Sequence, residues 1–398
     1  MTKNSVHKYI VNSLNIKQIL TITFAVTALI YFISSSGTTP YDYFTRLANA
    51  FLSGKYYLTE NPPWLNELVP AGTGVFYTVF PPMPALLAIP FVALIGREFP
   101  QQILAHLIGA GFATTMVAIS WAIKKDIKLA IWTAVFASIG TIAWFMSANG
   151  SVWYLGQLTA ILFLSLGLYE SLTRKRPYMV GFFLGAAYLS RVDALFSLPL
   201  FVYLLRSQLK NIKGLIQFML PLGSLVALDS LYNLIRFGVP WNKGYFLIPG
   251  VLDEPWHHKG LIHPSYIPNG LRVAFASVPV LLKDFPYIQP SWGGLAIWIT
   301  TPAFIFVLWA KWKEMVVKLS LLTIALIFTF VLMHGSTGFT QFGYRYAVDF
   351  YPFLMFLTIK GVVHMKGPKW YHWLLLLIGV TVNLWGVLWI NKFGWVSY

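Results

Sequence analysis

Residues 101–123 read QQILAHLIGAGFATTMVAISWAI and are followed at once by Lys124-Lys125-Asp126. The stretch contains no Asp, Glu, Lys or Arg. An α-helix needs about 20 apolar residues to cross a bilayer, so this stretch is long enough to do so. Basic residues collect on the cytoplasmic side of a membrane, so Lys124 and Lys125 mark the cytoplasmic end. The stretch therefore predicts a membrane-spanning helix and its direction.

The composition extends this prediction to the whole chain of 398 residues. Hydrophobic residues make up 57% and charged residues 11%, and the mean hydropathy is +0.65. A soluble protein carries about 25% charged residues, so a soluble fold is excluded. The apolar runs are long and continuous, which excludes the short alternating strands of a membrane β-barrel. The predicted fold is a single all-α polytopic membrane domain over residues 1–398.

Charge and cysteine content limit the partners of the chain. The net charge of +16 is explained by basic cytoplasmic loops beside anionic lipids, so membrane lipids are expected partners and nucleic acid is not. The absence of cysteine excludes a disulfide framework, a thiolate metal site and a cysteine nucleophile. A basic segment, with Lys3, Lys8 and Lys17, precedes the apolar residues 18–34, a pattern that indicates an uncleaved signal anchor.

Six basic clusters divide the apolar runs, and the positive-inside rule puts all of them in the cytoplasm. They are Lys3/Lys8/Lys17, Lys124/Lys125/Lys128, Arg174/Lys175/Arg176, Arg206/Lys210/Lys213, Lys311/Lys313/Lys318 and Lys360/Lys366/Lys369. An even number of crossings must join consecutive clusters. Residues 75–95 contain four prolines, so we assign them to an interfacial or re-entrant segment on the outer side.

Eleven spans then alternate consistently, with a cytoplasmic N-terminus. They are residues 18–36, 101–123, 129–147, 152–172, 178–190, 193–206, 214–235, 291–310, 315–334, 345–363 and 371–391. Two long loops, 37–100 and 236–290, lie on the extracytoplasmic side. The most notable polar residues fall on that side, so we expect the functional site there.

Asp42 is the candidate catalytic residue in the first outer loop. It is the second residue of the segment Tyr41-Asp42-Tyr43-Phe44-Thr45-Arg46, which is followed by a pattern typical of an amphipathic juxtamembrane helix. An aspartate at such a position can simply cap the helix. Alternatively, partial desolvation raises its pKa and makes it a general base. Tyr41, Tyr43 and Arg46 are candidate pocket residues.

A proline-rich aromatic corner follows in the same loop, with Tyr77, Pro81 and Pro82 as its candidate pocket residues. The simpler interpretation is a helix breaker at the membrane interface. The functional interpretation is a stiff wall of an acceptor groove.

Arg191, Arg236 and Arg345 stand where apolar runs begin or end on the outer side. Guanidinium groups match phosphate oxygens bidentately, so all three are candidates for binding a donor phosphate. The alternatives are an ion pair for Arg191, with Asp193 or Asp42, and interfacial anchoring for the other two. The neighbouring candidate pocket residues are Asp193, Tyr232, Tyr344 and Tyr346.

A metal or other cofactor is not expected. His257, His258 and His263 form only a loose ligand pattern in the second outer loop, although a divalent metal stays an alternative.

An acid and several arginines on the outer side favour an anionic substrate. Nucleotide sugars are cytoplasmic, so the activated substrate must be one that is already outside. Polyprenyl-phosphate sugars fit. Their phosphate leaves without protonation, so one base suffices to deprotonate an acceptor hydroxyl, and direct displacement inverts the anomeric carbon.

The order of short motifs resembles the membrane glycosyltransferases of the C superfamily (GT-C), which include protein O-mannosyltransferases and lipid A aminoarabinose transferases. The motifs are Tyr41-Asp42-Tyr43, Phe80-Pro81-Pro82, Ser190-Arg191, Tyr232-Asn233 with Arg236-Phe237-Gly238, and Gly343-Tyr344-Arg345-Tyr346. The resemblance implies juxtamembrane helices in the first outer loop, a catalytic Asp42 and a lipid-linked sugar donor. It predicts a polyprenyl-phosphate-sugar-dependent transferase of cell-envelope glycan synthesis in a prokaryotic plasma membrane. The acceptor is a glycan, lipid or protein.

Two other functions stay open at this stage. A transporter or flippase of a lipid-linked or anionic solute would place ionisable groups at mid-membrane and show an internal repeat. Neither feature is present in the sequence. A noncatalytic assembly protein would use the arginines to bind lipid headgroups.

Overall fold

The computed structural model describes residues 15–338 and 341–396, so Lys3 and Lys8 of the first basic cluster lie outside the described residues. The α-helices in chain order are α1 (Ile16–Ile33), α2 (Tyr43–Leu52), α3 (Met83–Ile95), α4 (Gln101–Ile123), α5 (Ile127–Ser138), α6 (Ala143–Asn149), α7 (Val152–Leu172), α8 (Pro177–Tyr188), α9 (Leu198–Leu204), α10 (Ile212–Phe237), α11 (Ile267–Ala276), α12 (Ile297–Thr300), α13 (Met315–Leu332), α14 (Tyr351–His364) and α15 (Trp370–Gly386).

Shorter elements connect these helices. The 3₁₀ segments are Val192–Ser197, Gly244–Leu247, Val251–Asp253, Pro255–His257, Pro264–Tyr266, Pro302–Trp309 and Arg345–Phe350, and a π-helical segment spans Val387–Lys392. Two small antiparallel hairpins pair β1 (Leu68–Pro70) with β2 (Phe76–Thr78) and β3 (Val280–Leu281) with β4 (Ile288–Gln289). The fold is therefore all-α and polytopic, as the sequence predicts.

Seven helical segments in the described part of the chain are long and apolar enough to cross a membrane, and α5 and α6, bent by 52°, would together make an eighth. The predicted spans 178–190, 193–206 and 291–310 coincide with shorter or broken helices. Charge explains the break between the first two, because Arg191 and Asp193 interrupt the apolar run. Pro302 separates α12 from the 3₁₀ segment that follows it.

The helices form an inner and an outer group. In the apolar 18-residue stretches of α4 and α7, 72% and 78% of the residues are buried, whereas in those of α1 and α10 only 22% are buried. The exposed large hydrophobic side chains on α10 are leucine, isoleucine and methionine, which suits contact with lipid tails. Helices α4 and α7 therefore form the centre on which the site is built.

Close packing between α8 and α10 fixes the two helix ends that carry Arg191 and Arg236. Gly181 on α8 lies against the backbone carbonyl of Phe218 and the ring of Pro221 on α10. A Cβ at position 181 would collide with that carbonyl. A glycine is needed here because it lets the two backbones approach closely.

Basic residues and candidate site residues lie at opposite ends of the bundle. Ile123, Leu172, Leu204 and Val316, at helix ends next to basic clusters, line one cavity with Lys360. The N-terminus of α7 and the C-terminus of α8 lie at the other end, with the first long loop. The helix ends next to the basic clusters at residues 124–128, 174–176, 206–213, 311–318 and 360–369 therefore lie together, away from the first long loop.

The first long loop folds over the end opposite the basic clusters. Helix α2 packs against α3, which begins after Pro82 and carries Pro84 in its first turn. The segment 75–95 that we assigned to an interfacial position therefore comprises β2 and a 13-residue helix. Gln101 joins the loop to the bundle, since its Oε1 accepts a hydrogen bond from the Phe44 backbone N–H at 2.9 Å.

Candidate active site

Arg191 follows the end of α8 and lies between two buried carboxylates. Its Nη2 donates to Oδ2 of Asp349 at 2.7 Å, and its Nε lies 3.8 Å from Oδ1 of Asp193. Both aspartates are 2% exposed, while the arginine side chain is 28% exposed. The ion pair with Asp193 expected as an alternative is therefore present, but the shorter pair is with Asp349, 158 positions away in sequence.

Gln157 on α7 connects the Arg191 pair to the segment that carries Arg345. Its Nε2 donates to the backbone carbonyl of Arg345 at 3.1 Å and to Oδ1 of Asp349 at 3.0 Å. The Gln157 amide therefore links the carboxylate that pairs with Arg191 to the backbone of Arg345.

Arg345 is held mainly by aromatic rings. Its Cζ lies 5.1 Å from the ring centroid of Tyr346 and 5.8 Å from that of Tyr154. Neither a carboxylate partner nor a hydrogen-bond acceptor is found for this guanidinium among residues 15–338 and 341–396, and its Nε is buried. Tyr344 is 1% exposed and packs behind Tyr346 with a ring separation of 6.0 Å. Arg345 is thus a half-buried cation without a salt bridge in the described part of the chain, although it acts electrostatically on the carboxyl group of Glu67.

Asp42 stands at the N-cap position of α2 but makes no side-chain capping bond. Its Oδ1 instead accepts a 2.6 Å hydrogen bond from Nε of Arg46, one helical turn later. Arg46 also reaches Glu60 at 2.6 Å, and Glu60 pairs with Arg97. The simple capping role is therefore absent, and Asp42 belongs to a charged network on the first long loop.

The N-terminus of α7 brings Asp42 towards Arg345. The backbone N–H of Val152 donates to the Tyr41 carbonyl at 3.2 Å, and the Tyr41 ring lies 4.7 Å from the ring of Trp153. Tyr154, the next residue, packs against Arg345. Two consecutive aromatic residues of α7 thus touch the Asp42 segment on one side and the arginine on the other.

Glu67 belongs to the same cluster, although the sequence analysis did not single it out. Its Oε1 accepts a hydrogen bond from Nε1 of Trp153 at 2.9 Å. Its backbone N–H donates to Oη of Tyr43 at 3.0 Å. Burial raises the pKa of the Glu67 carboxyl to about 7, against a smaller opposing effect of Arg345. Glu67 is therefore a second carboxyl group of the first long loop that lies close to Arg345 electrostatically.

Arg236 is bound differently from the other two arginines. Its three nitrogens donate to the backbone oxygens of Tyr232 and Thr78 and to the side chain of Asn233, at 3.3, 2.5 and 2.8 Å. Its Cζ lies 3.6 Å from the ring centroid of Tyr232. Tyr77, next to Thr78, contacts Phe237 edge to face. These contacts tie β2 to the end of α10 and use the donors that a phosphate would need.

The proline corner forms a wall beside α2. Phe80 lies 5.0 Å from the ring of Tyr43, and Pro81 and Pro82 lead from it into α3. The backbone N–H of Met83 donates to the Leu189 carbonyl at 3.1 Å, two residues before Arg191. The corner therefore positions both the first long loop and the end of α8.

The histidines of the second long loop are engaged locally. Nδ1 of His257 lies 2.8 Å from the Val251 carbonyl, and Nδ1 of His263 lies 2.8 Å from Oγ of Ser265. No group of three or more His, Asp or Glu side chains is placed to hold a metal ion within the described ranges of the chain.

Some residues of this cluster could have been noticed in the sequence. Gln157 and Asp349 are polar residues inside apolar runs, which is a recognised signal of a partner or a cavity. Glu67 has no such signal, because it lies in a polar loop. The structure brings Arg191, its two aspartates and the Arg345 segment together through Gln157 and leaves Arg236 on a separate set of contacts.

The fold is similar to that of a solved membrane enzyme. One similar solved structure is ArnT from Cupriavidus metallidurans bound to undecaprenyl phosphate, with a TM-score of 0.53 and 14% sequence identity. The match covers 91% of this chain and 62% of that one. The apo state of the same enzyme matches with a TM-score of 0.49 and 13% identity, over 90% of this chain and 62% of that one. The sequence matches no family model and no curated protein.

Proposed function

We propose that this protein is an inverting glycosyltransferase that moves a sugar from a polyprenyl-phosphate donor to an acceptor hydroxyl. The observation that carries the proposal is the Arg345 guanidinium, half-buried among aromatic rings and without a carboxylate partner in the described residues. A desolvated cation of this kind favours an anionic ligand. The GT-C-like fold supports a lipid phosphate as that ligand, since the similar ArnT structure has undecaprenyl phosphate bound.

In the proposed reaction Arg345 binds the donor phosphate and Arg191 assists it. Arg191 is already partly neutralised by Asp349 and Asp193, so Arg345 contributes the larger share. The acceptor oxygen attacks the anomeric carbon as the bond from that carbon to the phosphate oxygen breaks. The electron pair leaves with polyprenyl phosphate, whose charge the guanidiniums stabilise.

Asp42 is the proposed general base that accepts the hydroxyl proton during the attack. Its carboxylate is oriented by the 2.6 Å hydrogen bond from Nε of Arg46. We assign Tyr41, Tyr43, Tyr77, Pro81 and Pro82 to the pocket walls. In this proposal Arg236 braces β2 instead of binding phosphate, because its nitrogens already have acceptors.

The proposed orientation has the N-terminus in the cytoplasm and the site on the extracytoplasmic face. The basic residues at the opposite end of the bundle support it through the positive-inside rule. A flipped lipid-linked donor would then reach the arginines from the outer leaflet. Neither a metal nor another cofactor is part of the proposed reaction.

The test is transfer by purified protein in lipid nanodiscs, supplied with undecaprenyl-phosphate glucose, mannose or aminoarabinose and candidate glycan and lipid acceptors. We expect free undecaprenyl phosphate and glycosylated acceptor to form together. Asp42→Asn should abolish transfer while undecaprenyl phosphate still binds, and the exposed Asp284→Asn should behave as wild type. Full transfer by Asp42→Asn would exclude the base role. Transbilayer movement of the lipid without any transfer would favour a flippase.

A further inference from the structure

Glu67 is held rigidly at the entrance to β1. Its backbone N–H donates to Oη of Tyr43, and the next residue begins the hairpin. Its Oε1 accepts the 2.9 Å hydrogen bond from Nε1 of Trp153. The carboxyl group is therefore fixed from the α2 side and from the α7 side, and its second oxygen has little freedom to find another partner.

That second oxygen, Oε2, is buried and has no hydrogen-bond partner within the part of the chain that the structure describes. A buried carboxylate oxygen without a donor costs folding free energy, so such an atom needs a specific reason. A ligand that supplies the missing donor is one such reason.

The charges around Glu67 narrow the chemistry of that ligand. Arg345 stabilises the ionised carboxylate and Glu254 opposes it. Tyr245 lies within electrostatic reach of Glu67, Arg191 and Arg345, so these groups share one region. A phosphate bound to the arginines would repel a second phosphate at the carboxylate. Because an ionised carboxylate oxygen only accepts hydrogen bonds, the ligand group at Oε2 is a hydrogen-bond donor that lies next to the phosphate.

We infer that Oε2 of Glu67 accepts a hydrogen bond from a hydroxyl or ammonium group of the sugar attached to the donor phosphate. The inference rests on the proposed function, because it takes the phosphate at Arg345 as the reference point. The sugar is the part of the donor directly bonded to that phosphate. Such a bond strengthens when the sugar ring gains positive charge in the transition state, so Glu67 would affect both binding and turnover.

The experiment compares two lipids on the same purified protein in nanodiscs. Affinity is measured for undecaprenyl phosphate and for the undecaprenyl-phosphate sugar (glucose, mannose or aminoarabinose) that the wild-type protein transfers. Glu67→Gln and Glu67→Ala should weaken binding of the sugar-bearing lipid by about tenfold or more, the effect of one charged hydrogen bond. Binding of the sugar-free lipid should not change. The exposed Glu98→Gln is the matched control and should bind both lipids normally.

The two-lipid comparison separates recognition from folding. Equal weakening for both lipids would mean that Glu67 only supports the structure, and unchanged affinity for both would also overturn the inference. If wild-type protein binds undecaprenyl phosphate but transfers none of the sugars, the proposed function fails, and the inference about Glu67 fails with it. If wild type transfers a sugar and the Glu67 variants retain its kcat and KM, the inference about Glu67 fails alone.

Discussion

Replacing Arg191 by alanine tests whether the arginine only stabilises the fold or also binds the donor phosphate. The change leaves the carboxylates of Asp349 and Asp193 buried without the cation that lies 2.7 and 3.8 Å away. Removing one partner of a buried ion pair costs about 3–5 kcal/mol. Since the Arg191 side chain is 28% exposed, we expect the lower end of that range, about 3 kcal/mol. A loss of this size should lower the Tm by on the order of 5 °C. The Tm is measured by tryptophan fluorescence of the protein in detergent.

A double variant separates stability from donor binding. Asp349→Asn, added to Arg191→Ala, removes one unpaired carboxylate and should restore at least half of the lost stability. Affinity for undecaprenyl phosphate should stay low, because the guanidinium is still missing. The exposed Arg174→Ala is the control and should change neither quantity. A wild-type Tm for Arg191→Ala, or recovery of lipid affinity in the double variant, would refute this reasoning.

Three further outcomes are expected. Arg345→Ala should weaken undecaprenyl phosphate binding about tenfold or more with little loss of stability. Arg345→Lys should not restore this binding, because an ammonium group cannot form the two parallel hydrogen bonds of a guanidinium. Unchanged lipid affinity would contradict this prediction. Burial raises the pKa of Glu67 from 4.5 to about 7, so the folded state holds this proton more tightly. Stability should therefore fall as the pH rises from about 4.5 to about 7, and Glu67→Gln should flatten this slope in Tm measurements. Parallel slopes for the two proteins would count against the raised pKa. Arg236→Ala removes donors to Thr78 and Asn233 and should lower the Tm, whereas a purely ligand-binding arginine would leave it unchanged.

Sequence reasoning selected Arg191 and Arg345 as candidate phosphate-binding residues through the cost of placing charge beside apolar runs. The same rule also selected Arg236, whose contacts with Thr78 and Asn233 are structural. The cost of burying a guanidinium is the same whether a carbonyl or a phosphate compensates it. A local pattern therefore cannot distinguish the two situations.

The sequence by itself determined that the chain is an all-helical membrane protein, and it predicted one side for the six basic clusters, because hydrophobicity and charge act locally along each apolar run. Only the tertiary structure decided which polar groups meet. Gln157 joins Asp349 to the Arg345 backbone across nearly two hundred positions, and Trp153 joins Tyr41 to Glu67. Those pairings depend on how helices and loops pack, and packing is a property of the whole chain that no single stretch contains.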